Sequence, residues 1–318
     1  MIRHIVLYVS LFLILISSLK GQDPSFSQYY SNKLYFNPAF AGTARCPRFI
    51  MQYRNQWPFI TGTYVTYSAS LDAHVPFLHG GLGMIVTSDK SGKGLLSTTN
   101  ISGMYSYEAT LGREFSLKMA IEASYIQKSV DWSKIVFGDM IDPQYGYVYS
   151  TKEKEPIPTV GFADFSAGIL GYGTHYYFGA AIHHLTQPDQ GFLQDSKSPL
   201  PRKITAHAGM VIKLDPVGHN AIYPNLLFQN QAGISQFNIG VYTKLKDNFV
   251  GGVWYRINDS FIILMGLEQK AFTFGFSYDI TVSKLSLKPG GAMEFSTSYT
   301  FGCKPEKKKL RPINCPSF

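Results

Sequence analysis

Hydrophobic and polar positions alternate along most of this chain with a period of two. In the stretch 292–301, Met293, Phe295, Thr297, Tyr299 and Phe301 share one face, and Ala292, Glu294, Ser296, Ser298 and Thr300 share the other. Side chains of a strand point alternately to its two sides, so this segment is a strand with one aromatic face and one small, polar face. The stretch before it repeats the rule, with Phe272, Phe274, Phe276, Tyr278 and Ile280 opposite Thr273, Gly275, Ser277 and Asp279. About fourteen segments of this kind are predicted, at 49–54, 63–73, 81–87, 97–110, 115–128, 160–170, 174–184, 203–214, 221–228, 236–244, 248–256, 260–268, 272–280 and 292–301.

Their connections fall into two sets. Those at 74–80, 111–114, 171–173, 215–220, 245–247 and 269–271 are short. The intervening ones, at 55–62, 88–96, 129–159, 185–202, 229–235, 257–259 and 281–291, are mostly longer. Short turns on the periplasmic side and long loops outside are the asymmetry of outer-membrane barrels, and an even strand number predicts both chain ends on the periplasmic side.

Composition decides what the apolar face meets. Charged residues make up 16% of the chain, against about 25% in a soluble domain, while aromatics make up 15%. A soluble sandwich would alternate too, but its outward face would carry Lys and Glu, where these strands carry Ser, Thr, Gly, Asn and Tyr. The missing charge predicts a face in lipid. There every amide needs a partner within the protein, which an open sheet edge does not provide. The fold class is therefore an all-β, single-domain transmembrane β-barrel of about 14 antiparallel strands, over 48–302. Glu108, Glu122, Asp164, Glu268 and Glu294 fall on the presumed inward face, where pairing with inward Lys or Arg is the plain reading and ion selection the sharper one.

Export follows from the first residues. Arg3 and His4 precede an apolar run to Leu19, followed by Lys20, Gly21 and Gln22, the layout of a signal peptide over 1–21 cleaved after Gly21. The run is short for a membrane span of about 20 residues. The formal charge of +8 lies mostly at the two ends, in Arg3 and Lys20 and in the tail 303–318 with Lys304, Lys307, Lys308, Lys309 and Arg311. No basic patch with interleaved aromatics remains in the body, so nucleic acid is not an expected partner. The basic tail would face the periplasm, either solvated or against acidic components there. Cys46, Cys303 and Cys315 flank the strand-rich body. A Cys303–Cys315 bridge would staple the tail, the odd count leaves one thiol over or paired with another chain, and the pairing stays open.

No enzyme is expected. His183, His184, His207 and His219 have no Cys or carboxylate at ligand spacing, so no metal or other cofactor is called for. Ser91-Gly92-Lys93-Gly94 lacks the setting of a phosphate loop.

Between signal and first strand, 22–47, runs a proline-interrupted aromatic segment, with Pro24-Ser25-Phe26-Ser27-Gln28-Tyr29-Tyr30 and Asn37-Pro38-Ala39-Phe40-Ala41-Gly42. It is too apolar for a free tail and too irregular for a strand, and suits packing in the lumen or at the periplasmic rim. Phe26, Tyr29, Tyr30, Asn37 and Pro38 are its candidate plug or partner contacts. Arg54 and Trp57 sit at the top of the first hairpin, read either as an interfacial Arg beside a girdle aromatic or as a partner contact near the external rim.

These motifs resemble the PorP/SprF family, outer-membrane proteins of the type IX secretion system of Bacteroidetes. The resemblance runs through the Pro-Ser-Phe-Ser-Gln-Tyr opening, Asn37-Pro38-Ala39 to Gly42, Arg54-Asn55-Gln56-Trp57, Ser68 to Asp72, Gly290-Gly291-Ala292-Met293-Glu294 and a basic tail with Cys315-Pro316. It implies a non-enzymatic barrel in outer-membrane lipid, working with secretion and gliding proteins. Its partners would be secretion-system proteins and a secreted adhesin or cargo with a C-terminal sorting domain. Partner contacts in the tail would fall on Lys307, Lys308 and Lys309. A passive channel for small molecules is the alternative that the same architecture allows.

Overall fold

The computed structural model describes residues 21–302 apart from 61, 113, 153–156, 194–196, 216–218, 247 and 283–289. Fourteen antiparallel staves form one closed sheet. They are β1 (Arg48–Gln56), β2 (Tyr64–Val75), β3 (Gly80–Ser91), β4 (Leu96–Thr110), β5 (Phe115–Val130), β6 (Thr159–Gly173) and β7 (Tyr176–His183). The second half comprises β8 (Lys203–Met210, continued by Ile212–Lys213), β9 (Ala221–Gln231), β10 (Ile234–Leu245), β11 (Phe249–Arg256), β12 (Ser260–Gln269), β13 (Phe272–Thr281) and β14 (Ala292–Thr300). Sequence neighbours are sheet neighbours throughout. Closure comes from β1 on β14, in register from Arg48↔Thr300 to Gln56↔Ala292, so no edge amide is left to face lipid.

The alternation in sequence becomes an inside and an outside. In β14, Glu294 is fully buried toward the lumen, while Phe295 beside it is half exposed on the outer wall. The same split recurs in β5, where Ile121 and Tyr125 face outward and Lys118 and Glu122 are buried. Among the described residues no helix is long and apolar enough to cross a membrane. The strands do the crossing.

The long connections cluster at one mouth, at 57–63, 131–158, 184–202 and 282–291, but two expected loops are tighter than predicted. Strands β3 and β4 continue until only 92–95 joins them, and β9 and β10 until only 232–233 does. The cause is polar alternation: Ser97, Thr98, Thr99 and Asn100 keep the ladder paired where no apolar face is required. Loop 131–158 carries its own two-stranded hairpin, Ile141–Asp142 with Gly146–Tyr147.

The hydrophobic core lies inside the barrel, because the amino-terminal segment fills the lumen. Leu34, Ala39 and Phe40 pack against Ile85, Met104 and Leu170 of the wall. Phe26, Tyr29 and Phe36 pack against Trp254, Ile262 and Leu264. The segment starts at the long-loop mouth, where Asp23 N–H donates to Gln231 Oε1 at 2.9 Å. It leaves at the short-turn mouth, where Phe301 N–H donates to Pro47 O at 3.0 Å. The described chain thus begins at one mouth and ends at the other. The expectation of both chain ends on one side counted strands and not this passage through the lumen; the ends themselves lie outside the described residues.

Candidate functional site

The plug is held at three levels. Uppermost, at the long-loop mouth, His184 stands between two carboxylates, with Nε2 2.8 Å from Asp23 Oδ2 and Nδ1 2.7 Å from Asp164 Oδ2. Both ring nitrogens donate when the imidazole is protonated, which suits two acceptors. Thr186 Oγ1 donates to the other Asp164 oxygen at 2.8 Å. Lys203 Nζ lies 3.7 Å from Asp23 and 4.5 Å above the Tyr35 ring. Burial disfavours charge on His184, but the Asp23 charge and the hydrogen bonds to both carboxylates outweigh it and raise its pKa from 6.5 to about 9. Burial likewise pushes Asp23 up, yet His184 and Lys203 hold its carboxyl well below 3.8.

The second is a buried ion network near the long-loop ends of β1, β11, β13 and β14. Arg54 spans Asp279 (2.9 Å) and Glu294 (3.2 Å), and its Nη1 donates to Ser27 Oγ at 2.7 Å. Glu294 in turn accepts the backbone N–H groups of Ser27 (2.7 Å) and Gln28 (3.1 Å). Gln28 returns a bond from its side chain to Glu294 O. Arg256 closes the ring, donating to Ser27 Oγ at 3.0 Å and to Tyr29 OH at 3.2 Å, and reaching Asp279 at 3.4 Å. Tyr29 OH donates to Asn238 Oδ1 at 2.8 Å. A free peptide N–H in a barrel interior is costly, and here two of them end on one carboxylate that also pairs with an arginine.

The lowest level belongs to Asn37 and Gly42. Asn37 Oδ1 accepts Ala39 N–H at 2.9 Å, fixing the turn Pro38–Phe40, while its Nδ2 reaches Ile169 O at 2.9 Å and His207 Nε2 at 3.0 Å. Phe40 stacks on that histidine ring at 5.0 Å. The plug backbone then touches the wall: a Cβ on Gly81 would lie 2.2 Å from Ala41 O. Gly42, at φ +69°, donates to Asp72 Oδ2 at 2.9 Å, and Asp72 is also bonded by Arg48 at 3.1 Å.

Each candidate residue now has a place. Phe26 is buried edge-on to Tyr35, and Tyr30 lies over Tyr242 at 5.4 Å. Tyr29, Asn37 and Pro38 are the buried plug contacts just described. Arg54 is two residues from the long-loop end of β1, with its side chain buried against Ser27 of the plug. It occupies an inward position of β1, where its charge meets two carboxylates instead of water. Trp57 does stand at the long-loop mouth, with its N–H donating to Gly291 O at 2.8 Å and its ring edge-on to Tyr64. Lys307, Lys308, Lys309, Cys303 and Cys315 lie outside the described residues. Cys46 is disulfide-bonded.

Four of the five inward carboxylates have a charged or titratable partner within 3.2 Å: Glu108 with Arg45, Asp164 with His184, Glu268 with Lys244 and Glu294 with Arg54. Glu122 has His183 at 3.8 Å. Asp279, Arg256 and the Asp23–His184 pair escaped the sequence reading. Asp279 and Arg256 lie on inward positions of their strands, a signal that marks the face but not the plug residue each one meets.

A closed fourteen-strand barrel with a lumen filled by its own amino-terminal segment is an outer-membrane-type barrel of the plugged class. The family model described as "Type IX secretion system membrane protein PorP/SprF" matches residues 18–299, and the chain belongs to that family. No curated protein matches it. Solved barrels are similar only at low identity. The Ralstonia pickettii toluene transporter TbuX is 10% identical, with a TM-score of 0.49 over 86% of this chain and 94% of that one. The Acinetobacter baumannii outer membrane protein Omp33 is 8% identical, with a TM-score of 0.47 over 81% and 98%. A Pseudomonas aeruginosa FadL homologue is 13% identical, with a TM-score of 0.45 over 86% and 96%.

Two outcomes follow from these contacts. Arg54→Ala leaves Asp279 and Glu294 facing each other without their shared cation, and is expected to cost about 3–5 kcal/mol in urea unfolding; a loss under about 1 kcal/mol would contradict the network. The upper level is pH-dependent. The raised His184 pKa stabilises fully below 6.5, and that contribution is lost as pH rises through about 9. The lowered Asp23 pKa contributes above 3.8 and is lost as pH falls below it. A nitroxide on Ser25→Cys should therefore be immobile in electron paramagnetic resonance at pH 6 and mobile at pH 9.5. With His184→Gln it should be mobile at both.

Proposed function

We propose that this chain is a non-enzymatic outer-membrane barrel that serves type IX secretion through protein contact, assisting the export or surface anchoring of an adhesin or cargo with a C-terminal sorting domain. The long-loop mouth faces outward and carries the contact surface, with the short turns in the periplasm. The observation that carries this reading is the plug. A lumen occupied by Phe26–Gly42, and locked through Arg54, Glu294 and Asp72, is built for rigidity and not for flux. Membership of the family supplies the secretion system, and the exposed Tyr145, Val148 and Tyr149 of loop 131–158 supply apolar surface beyond the lipid band.

The passive channel is the competing reading, and it requires the plug to leave. Planar-bilayer recording separates the two. The intact protein is expected to give no large steady conductance, while a variant lacking residues 23–42, checked for folding by its heat-dependent gel mobility, should conduct. A steady open pore in the intact protein would overturn the contact reading.

A further inference from the structure

The outer wall carries a recess of about 1020 Å3 that crosses β11–β14 and β1–β3. Its lining falls on two neighbouring rungs of the sheet. Phe276, Phe295, Tyr53 and Tyr67 pair in turn along one rung, and Phe274, Thr297, Met51 and Ala69 along the other. Met51, Tyr67, Phe274 and Phe295 are each about half exposed on the outer face. The first rung is a row of rings, with Phe276 4.9 Å from Phe295 and Tyr53 5.2 Å from Tyr67. On the second, large Phe274 gives way to short Thr297 and Ala69, and the wall loses height there. Among the described residues no plug side chain lines the recess, so it opens to the membrane and not to the lumen.

None of the lining residues is charged. Left empty, the recess would forfeit packing contacts along its whole lining, and water would find too few polar partners in it. The medium against this wall is hydrocarbon, and a flexible lipid chain can follow the recess to its floor. A second barrel, rounded and stiff, cannot. One end of the recess also carries a cation. Ser88 of β3 lies opposite Tyr67 on the first rung, and the next outward residue is exposed Lys90, about 7 Å further toward the long-loop mouth at about 3.3 Å per residue. Its cross-strand neighbours, Val65 and Ser97, are uncharged. Asp89 beside it turns inward, where it accepts from Thr66 Oγ1 at 2.6 Å. We propose that the recess binds one anionic membrane lipid, with its acyl chains along the two rungs and its headgroup phosphate at Lys90. The site adds a lipid ligand to the protein contacts proposed above and does not rest on them.

Native mass spectrometry of the delipidated full-length protein in detergent tests the site, with phosphatidylglycerol and, separately, zwitterionic phosphatidylcholine added in steps. One phosphatidylglycerol molecule is expected to stay bound, in preference to phosphatidylcholine. Ala69→Trp and Thr297→Phe fill the recess and should each weaken that retention at least about threefold. Lys90→Gln should remove the preference between the two lipids. Ile121→Trp, on the exposed outer face of β5 and outside the recess, should change neither result. Folding of every variant is checked by heat-dependent gel mobility. The proposal is overturned if no lipid is retained, if the intact protein holds both lipids equally, or if neither filling variant lowers retention. It is equally overturned by the same loss from Ile121→Trp, by a preference that survives Lys90→Gln, or by a lipid-free dimer that Ala69→Trp dissociates.

Discussion

A carboxylate shared between plug and wall is what the rest of this structure depends on. Glu294 stands on the inward face of the closing strand, takes two backbone N–H groups from Ser27 and Gln28, and is paired with Arg54 from the opening strand. The pairing of β1 with β14 is the one that shuts the cylinder. The same residues therefore join the first strand, the last strand and the plug. A barrel closing without its plug would bury Glu294, Arg54 and Asp279 around an empty centre, with no serine hydroxyl or peptide amide to complete them.

That constraint explains why motifs far apart in sequence belong together. The Ser27-Gln28-Tyr29 run, Arg54 and the Gly290-Gly291 to Glu294 stretch meet within one network, and Trp57 N–H ends on Gly291 O at its edge. The Asn37 to Gly42 motif does separate work at the other mouth, where His207, Gly81 and Asp72 receive it. A lumen held at three places has little freedom to open.

Much of this could be read in the sequence, and the reason is periodicity. An alternation of two determines which side chains face lipid, and lipid then demands closure, so strand number and topology followed from local pattern. Strand ends were less legible, because polar residues such as Ser97–Asn100 continue a ladder without a hydrophobic signal. The plug was legible as a packed segment, but its direction was not. Nothing in a proline-interrupted run states that it starts at the long-loop mouth. The partners of Arg54 were hidden for a related reason: an arginine near a hairpin looks interfacial until the carboxylates facing it, from β13 and β14, are brought round by closure. The pairing of His184 with Asp23 spans the whole first half of the barrel and leaves no local trace.

Amide hydrogen exchange measured on the folded protein in lipid bears most directly on the claim that the amino-terminal segment is part of the barrel's core. The account predicts that the amides of Ser27, Gln28, Ala39 and Gly42 exchange as slowly as those in the middle of β14, since each donates within the lumen. Exchange of these four at the rate of an unstructured tail, with β14 still protected, would contradict it.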